Sequence, residues 1–322
     1  IDEYLENAKE IDVDIIRDKN GEIYVAGIME HIEEAGIHSG DSACSLPPYS
    51  VSKETQNKII EWVSKIANEI NVVGLMNTQL AIKDKKIYVL EVNPRASRTV
   101  PFVAKSKGIP VAKIAAKVMV GENLNSILND YKINELKNFN VKESVFPFNK
   151  FDGVDLILGP EMKSTGEVMG IDETFLSSYI KSQIACGNIL PSKGTVFISI
   201  DNDNKKFIIE IAQKLKELDF NLLATKGTAE YLNTNNIKTK IVNKVKEGNP
   251  HVVDSLINNE IQLVINTTKT QSSIRDSYSI RRTSLMYNIP YYTTIAGAKV
   301  AVDAIEHMKT QEFTIKSLQT IN

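Results

Sequence analysis

Several features are scarce in this sequence, and each absence excludes something. There are only two cysteines, Cys44 and Cys186, far apart and with no second cysteine or histidine at metal-ligand spacing. Neither a disulfide framework nor a zinc site is expected, and both read as buried free thiols. No run of about 18 apolar residues offers a transmembrane helix, and Ile1 to Glu10 reads as acidic and helical, unlike a signal peptide. Neither Gly-x-x-x-x-Gly-Lys nor Gly-x-Gly-x-x-Gly occurs, so these phosphate-cradling loops are missing. Charge of one sign is also lacking: 38 Lys and Arg against 40 Asp and Glu leave a net charge of -2, which removes the footprint of a nucleic-acid binder. A cytosolic protein without membrane or nucleic-acid partners is expected. The sequence opens on Ile1 inside a patterned segment, so a piece of a longer polypeptide is expected as well.

With 322 residues and 42% hydrophobic content, the chain can bury more than one core. From Ile11 to Ile32, Val and Ile alternate with charges and break at Lys19-Asn20-Gly21, which predicts a hairpin. Ser52 is placed to cap a helix carrying Ile59, Ile60, Val63, Ile66 and Ile70, with Trp62 read as core. A second hairpin, Leu75 to Ile82 and Lys86 to Val92, reverses at Lys83-Asp84-Lys85. Residues from about 122 to 142 read as a surface connection or irregular helices.

After Pro191 the texture changes. Strands are predicted at Val196–Ile200, Asn221–Thr225, Thr239–Val242, Gln262–Thr267 and Tyr291–Thr294. Helical patterns lie near Lys205–Leu218, Thr228–Thr234, Val252–Asn258, Ser273–Tyr287 and Ala296–Met308, with Arg281-Arg282 read as a solvated or interface face. Five strands with helical crossovers predict a doubly wound parallel sheet.

Two constellations carry chemistry. Glu91 and Asn93 share one strand face, and a turn centred near Lys85 sets Gln79 opposite Glu91. A carboxylate and two amides suit a hard cation such as magnesium, and Arg95 and Arg98 just beyond could clamp phosphate oxygens. By spacing alone, an ordinary polar strand followed by surface arginines remains the competing reading. In the second half, Thr225-Lys226-Gly227-Thr228 after the second strand, Asn266-Thr267-Thr268 after the fourth, and Lys244 after the third could bind an anion at helix N-termini. Helix caps alone would leave the same pattern.

The segments Met76-Asn77-Thr78-Gln79 and Glu91 to Phe102 resemble the signature of carbamoyl-phosphate synthetase large subunits. The resemblance extends through His31 to Pro47, Phe146 to Phe151 and Gly159 to Glu167, and covers essentially the whole chain. It implies an α/β chain: the C-terminal lobe of an ATP-grasp domain, antiparallel sheet with helices, over 1–121, a connecting helical region over 122–190, and a methylglyoxal-synthase-like parallel α/β domain over 191–322. It further implies the carbamate-phosphorylating half of the enzyme, with Gln79, Glu91 and Asn93 on Mg2+ or Mn2+ and K+ as a further ion. Gln79 and Glu91 would also meet ATP, beside Gly36, Ile37, His38 and Ser39, and Arg95 and Arg98 would stabilise the nascent carbamoyl phosphate. Since many grasp enzymes carry a carboxylate at the first of these positions, a neutral Gln79 would re-tune one metal site. The lobe holding adenine is expected upstream of Ile1, so this piece alone is expected not to turn over.

The same resemblance makes Ser199, Lys205, Thr225, Thr228, Lys244, Asn266 and Thr268 the lining of a site for nucleotide effectors such as UMP or IMP. Glu33, Asp41, Glu143, Tyr291 and Thr293 match positions that bind ornithine in some members. A small glutaminase subunit is the implied partner, with a homo-oligomer left open, and pyrimidine and arginine synthesis the implied pathways. Two alternatives are weighed: an isolated nucleotide-sensing module without catalysis, and a free-standing lyase making methylglyoxal. The lyase needs a carboxylate in the phosphate pocket, and the fourth-strand turn from Asn266 to Gln271 has none.

Overall fold

Along Glu10-Ile11-Asp12-Val13-Asp14-Ile15, apolar and acidic side chains fall on opposite faces of a strand. That strand, β1 (Lys9–Arg17), pairs antiparallel with β2 (Ile23–Glu34). In this computed structural model residue 5, residues 8–133, 135–150 and 153–311, and residues 314, 315 and 317 are described. Lys9 and Glu10 belong to the strand, not to the expected opening helix; residues 1–4, 6 and 7, like Phe151, lie outside the described residues.

The chain divides into two units: Ile1–Ser144 with Gly159–Ser182 and Phe313–Asn322, and Val145–Leu158 with Gln183–Glu312. In the first, β3 (Cys44–Leu46), α1 (Lys53–Glu69), β4 (Gly74–Lys83), β5 (Lys86–Asn93), α2 (Val100–Lys107), α3 (Val111–Met119) and α4 (Leu124–Leu128) follow the hairpin. β6 (Phe139–Val145), β7 (Gly166–Asp172) and α5 (Phe175–Cys186) complete the series. The sheet runs β5-β4-β1-β2-β3-β6-β7. Two of its strands therefore come from the region read as a helical connection.

One sheet face packs Ile11, Val13 and Ile15 against Ile59, Val63 and Ala67 of α1, whose Ser52 caps Thr55 N as predicted; such a cap contributes about 1 kcal/mol. Trp62, read as core, is 40% exposed. It lies one position, about 100°, off the buried stripe of Ile59 and Val63. The other face is divided: Ile16, Met29, Cys44 and Leu46 pack on α2 and α3, while Glu10, Asp12 and Asp14 of β1 and Asn77 and Gln79 of β4 border or underlie the site below. Neither cysteine forms a disulfide; Cys44 is buried, its thiol pushed up to about 12 by burial, but Cys186 is only half-buried.

The second unit contains β8 (Thr195–Ser199), α6 (Lys205–Glu217), β9 (Asn221–Ala224), α7 (Lys226–Thr234), β10 (Lys240–Ile241) and α8 (Val252–Ile257). β11 (Leu263–Asn266), α9 (Gln271–Asp276), α10 (Tyr278–Met286), β12 (Tyr291–Tyr292) and α11 (Ile295–Thr310) follow. All strands are parallel in the order β10-β9-β8-β11-β12, so the predicted doubly wound sheet forms, with its order reversing between β8 and β11. The single helix expected over Ser273–Tyr287 is two, meeting at Ser277.

Arg281, read as a solvated or interface residue, is 1% exposed. Its guanidinium holds Asp155 through two nitrogens and also donates to the Ile274 carbonyl at 2.8 Å. A carboxylate 126 residues away makes burial of this charge tolerable, and no local pattern announces it.

Candidate functional site

The first site is built on the β4–β5 hairpin. Its turn is Asp84-Lys85, both residues left-handed at φ 49° and 63°, and the ladder runs from Lys83↔Lys86 to Leu80↔Val89. Continued regularly, it would set Gln79 opposite Leu90. Instead the register shifts by one, and Gln79 pairs with Glu91, Thr78 with Val92 and Asn77 with Asn93. The pairing expected from a turn centred on Lys85 thus holds for Gln79 and Glu91, although the turn is centred half a residue earlier and a bulge at Leu90 restores the difference.

Every residue assigned above to ATP, metal or phosphate borders one cavity of about 570 Å³. Gly36, Ile37, His38 and Ser39 come from the loop after β2, Gln79 from β4, Glu91 and Asn93 from β5, and Arg95 and Arg98 from the turn leading to α2. Glu10, Asn77, Leu90, Ser97 and Pro160 border it too and were not singled out from the sequence. The available signal was Glu10, Asp12 and Asp14 at every second position of one strand.

The loop is fixed from several directions. Gly36 N donates to Glu10 Oε2 at 3.3 Å, His38 N to the Gly159 carbonyl at 2.9 Å, and Gly40 N to His38 Nδ1 at 3.0 Å. Lys142, 1% exposed, donates its Nζ to the Ser39 carbonyl at 3.0 Å. The donor set fits a hard cation: one carboxylate, Glu91, with amide oxygens from Gln79 and Asn93. Asn93 Nδ2 donates to Glu91 Oε1, so these two groups already converge.

Beneath the cavity lies a layer of buried charge, with Glu10, Asp12 and Asp14 at 3%, 1% and 1% exposure. Burial raises the Glu10 carboxyl above the usual carboxylate range, against the opposing pull of His31. His31 Nε2 lies 2.9 Å from Asp12 Oδ2. Burial pulls this imidazole down, but the hydrogen bond and charge of Asp12 outweigh it and leave the pKa raised. Burial lifts Asp14 to about 6, although Thr99, Asn77 and Ser97 donate to it.

The second site sits at the carboxyl ends of β8, β9 and β11, where strand order reverses and such sheets bind ligands. A cavity of about 340 Å³ is bordered by all seven residues assigned to it, Ser199, Lys205, Thr225, Thr228, Lys244, Asn266 and Thr268. Asn266 is 1% exposed, and its amide, beside the Tyr291 hydroxyl, makes no hydrogen bond of ordinary geometry among the described residues. Thr225, at the N-cap of α7, makes no side-chain cap bond and lies with Ser199 Oγ at 3.3 Å. Hydroxyls, an amide and two ammonium groups around a helix start suit a phosphate monoester.

The exclusion of a lyase from a missing carboxylate was incomplete, because Asp201 and Asp276 border this cavity from elsewhere. Both are already engaged. Asp201 accepts from Thr267 Oγ1 at 2.6 Å and Asn204 Nδ2 at 2.7 Å; these bonds outweigh burial and hold its carboxyl low. Asp276 pairs with Lys246, which lowers it likewise. A carboxylate held ionised by its own donors is a poor proton acceptor.

The five residues assigned to ornithine border neither cavity. Glu33, Asp41 and Glu143 belong to the first unit, Tyr291 and Thr293 to the second. Asp41 accepts from Lys163 N and Ser164 N at 2.8 and 2.9 Å, and the half-buried Glu33 accepts from Ala43 N at 2.8 Å.

Residues 1–127 match the family described as "Carbamoyl-phosphate synthase L chain, ATP binding domain", and residues 207–293 match "MGS-like domain". The carbamoyl phosphate synthase large chain of Myxococcus xanthus (strain DK1622) is 50% identical over 99% of this chain and 29% of its own length. That of Archaeoglobus fulgidus is 50% identical over 99% of this chain and 30% of its own. The chain thus resembles the carbamoyl phosphate synthase large chain along nearly its whole length. It corresponds to a C-terminal part of that large chain and spans under a third of the length of these relatives. Among solved structures, the biotin carboxylase domain of a thermophilic 2-oxoglutarate carboxylase bound to bicarbonate overlaps with a TM-score of 0.44. That overlap has 17% identity over 57% of this chain and 46% of that one, too slight to argue from. Among the described residues no helix is long and apolar enough to cross a membrane.

Proposed function

We propose that the first unit is half of a site that phosphorylates carbamate with ATP to give carbamoyl phosphate, and that the second unit senses a nucleoside monophosphate. The observation that carries the first part is the convergence of Gln79, Glu91, Asn93, Arg95 and Arg98 with the Gly36–Ser39 loop on one cavity.

In this reading Gly36 to Ser39 hold the ribose and phosphates. Gln79, Glu91 and Asn93 hold Mg2+ or Mn2+, with K+ as a further ion. When bound there, such a cation would supply positive charge to phosphate oxygens. Arg95 and Arg98 direct guanidinium groups at the transferring phosphoryl group and the forming product, where preorganised positive charge lowers the barrier. The proposed parent enzyme takes bicarbonate, ammonia from a small glutaminase partner and two ATP, acting in the cytoplasm for pyrimidine and arginine synthesis. The rest of the ATP site is assigned to the longer large chain, so this chain alone is expected not to turn over. Ornithine binding at Glu33, Asp41, Glu143, Tyr291 and Thr293, and a homo-oligomer, belong to the same proposal.

The second unit's part rests on the buried Asn266 amide bordering one cavity together with the hydroxyls of Ser199, Thr225, Thr228 and Thr268 and the ammonium groups of Lys205 and Lys244. Calorimetric titration of this chain with UMP, with IMP and with magnesium ATP, run separately, tests both parts. Binding of UMP or IMP with no heat from ATP is expected; binding of ATP alone would reverse the assignment of the two sites.

A further inference from the structure

Asp14 does not border the first cavity, yet it touches both elements that build its reactive end. Its Oδ1 accepts from Ser97 Oγ at 2.8 Å and Asn77 Nδ2 at 2.9 Å, and its Oδ2 from Thr99 Oγ1 at 2.7 Å. Ser97 lies between Arg95 and Arg98, and Asn77 is the register partner of both Asp14 on β1 and Asn93 on β5. One carboxylate at the middle of the sheet therefore ties the arginine turn to the strand row holding the cation ligands.

The turn has little else to hold it. Pro94, Arg95, Ala96 and Arg98 are exposed, and only Ser97 and Thr99 point inward. Thr99 occupies the N-cap position of α2, where a hydroxyl ordinarily accepts a bond from the first helical turn, but it makes no such cap bond. Its hydroxyl goes to Asp14 instead. A helix cap is forgone for a tether, and the tether is charge-assisted, which makes it stronger than a neutral bond.

We propose that Asp14 is a positioning residue that sets the Arg95–Arg98 turn against the Gln79–Glu91–Asn93 row. The proposal rests on the reading of that cavity as a phosphoryl-transfer site. Losing the tether lets the guanidinium groups drift while the nucleotide loop, held by Glu10, Lys142 and Gly159, keeps its place. Misplacement by about 1 Å is enough to slow such a reaction about 10²-fold.

The test uses the intact large chain that contains this segment, supplied with ATP, bicarbonate and ammonia, and follows carbamoyl phosphate. Asp14→Asn and, separately, Thr99→Val are expected to lower kcat by about 10- to 100-fold, with KM for ATP changed by less than about twofold. Thr99→Ser restores most of what Thr99→Val loses. If Asp14→Asn does not fold, Ser97→Ala and Thr99→Val, which alter only the turn's end of the tether, decide the matter. An active parent whose variants keep its kcat, or lose kcat only with a matching rise in KM, overturns the proposal alone. A parent that forms no carbamoyl phosphate overturns the underlying reading and the proposal with it.

Discussion

Gln79 stands opposite Glu91 because Leu90 is bulged out of the β4–β5 ladder between them. In a bulge two residues of one strand oppose one of its partner, so Leu90 and Glu91 both border the cavity. The bulge compensates a two-residue turn whose residues, Asp84 and Lys85, both adopt φ above zero.

That turn is a place to gain stability. Asn-Gly suits two successive left-handed residues far better than Asp-Lys does. Asp84→Asn with Lys85→Gly should stabilise the chain by about 1 kcal/mol and raise Tm by about 2–4 °C, read by thermal unfolding.

Asp14 makes a pH-dependent contribution of known sign. Its carboxyl titrates at about 6 in the folded chain against an ordinary 3.8, so the folded state binds the proton more tightly. The stability this gives is complete below about 4 and is lost as pH rises through about 6, at most about 3 kcal/mol. Asp14→Asn lacks this dependence. Urea unfolding of both proteins at pH 4.5 and pH 7 should show the variant gaining on the parent at the higher pH.

Arg281 and Asp155 should depend on each other. Replacing Arg281 by Met leaves the half-buried Asp155 carboxylate without its partner and should cost about 1–3 kcal/mol. The double change Arg281→Met with Asp155→Leu should recover most of that loss in denaturant unfolding. A double variant as unstable as the single one would show that the pair does more than neutralise charge.

The phosphate pocket should fail selectively. Lys205→Ala and Thr225→Val are expected to weaken UMP or IMP binding by about tenfold or more each, as loss of a bond to a charged group implies. Unfolding midpoints should stay near the parent's, because Lys205 and Thr225 carry little of the core. Calorimetric titration and thermal unfolding together separate the two effects.

Much of the fold was legible because it rests on local periodicity. The helices and strands of the second unit lie where the alternation of apolar strand and amphipathic helix puts them, with Ser277 dividing one helix. Residue types at strand ends and turns hinted at part of each cavity, Gln79, Glu91, Asn93, Arg95 and Arg98 in the first and Thr225, Thr228, Lys244, Asn266 and Thr268 in the second, while Gly36 to Ser39, Ser199 and Lys205 entered only through the family resemblance. Trp62 was misread because a stripe's phase is set by the sheet it packs on, and Arg281 because its partner is distant in sequence. Glu10 was read as part of a helical opening and Asp12 and Asp14 only as charges alternating with Val and Ile, since alternation reports that two faces differ but not which one meets water.

By itself the sequence determined the hairpins, the alternating order of strands and helices in the second unit, and the residue types that could meet a cation or phosphate, because each depends on spacing along one chain, and its longer motifs carried the resemblance to a known large chain. Only the tertiary structure decided that Leu90 leaves the ladder, that Asp14 anchors the arginine turn, that Asp155 neutralises a buried arginine, and that Lys142 props the loop at Ser39. These depend on which distant groups share a low-dielectric interior, where a charge without a partner is costly; no local pattern carries that information.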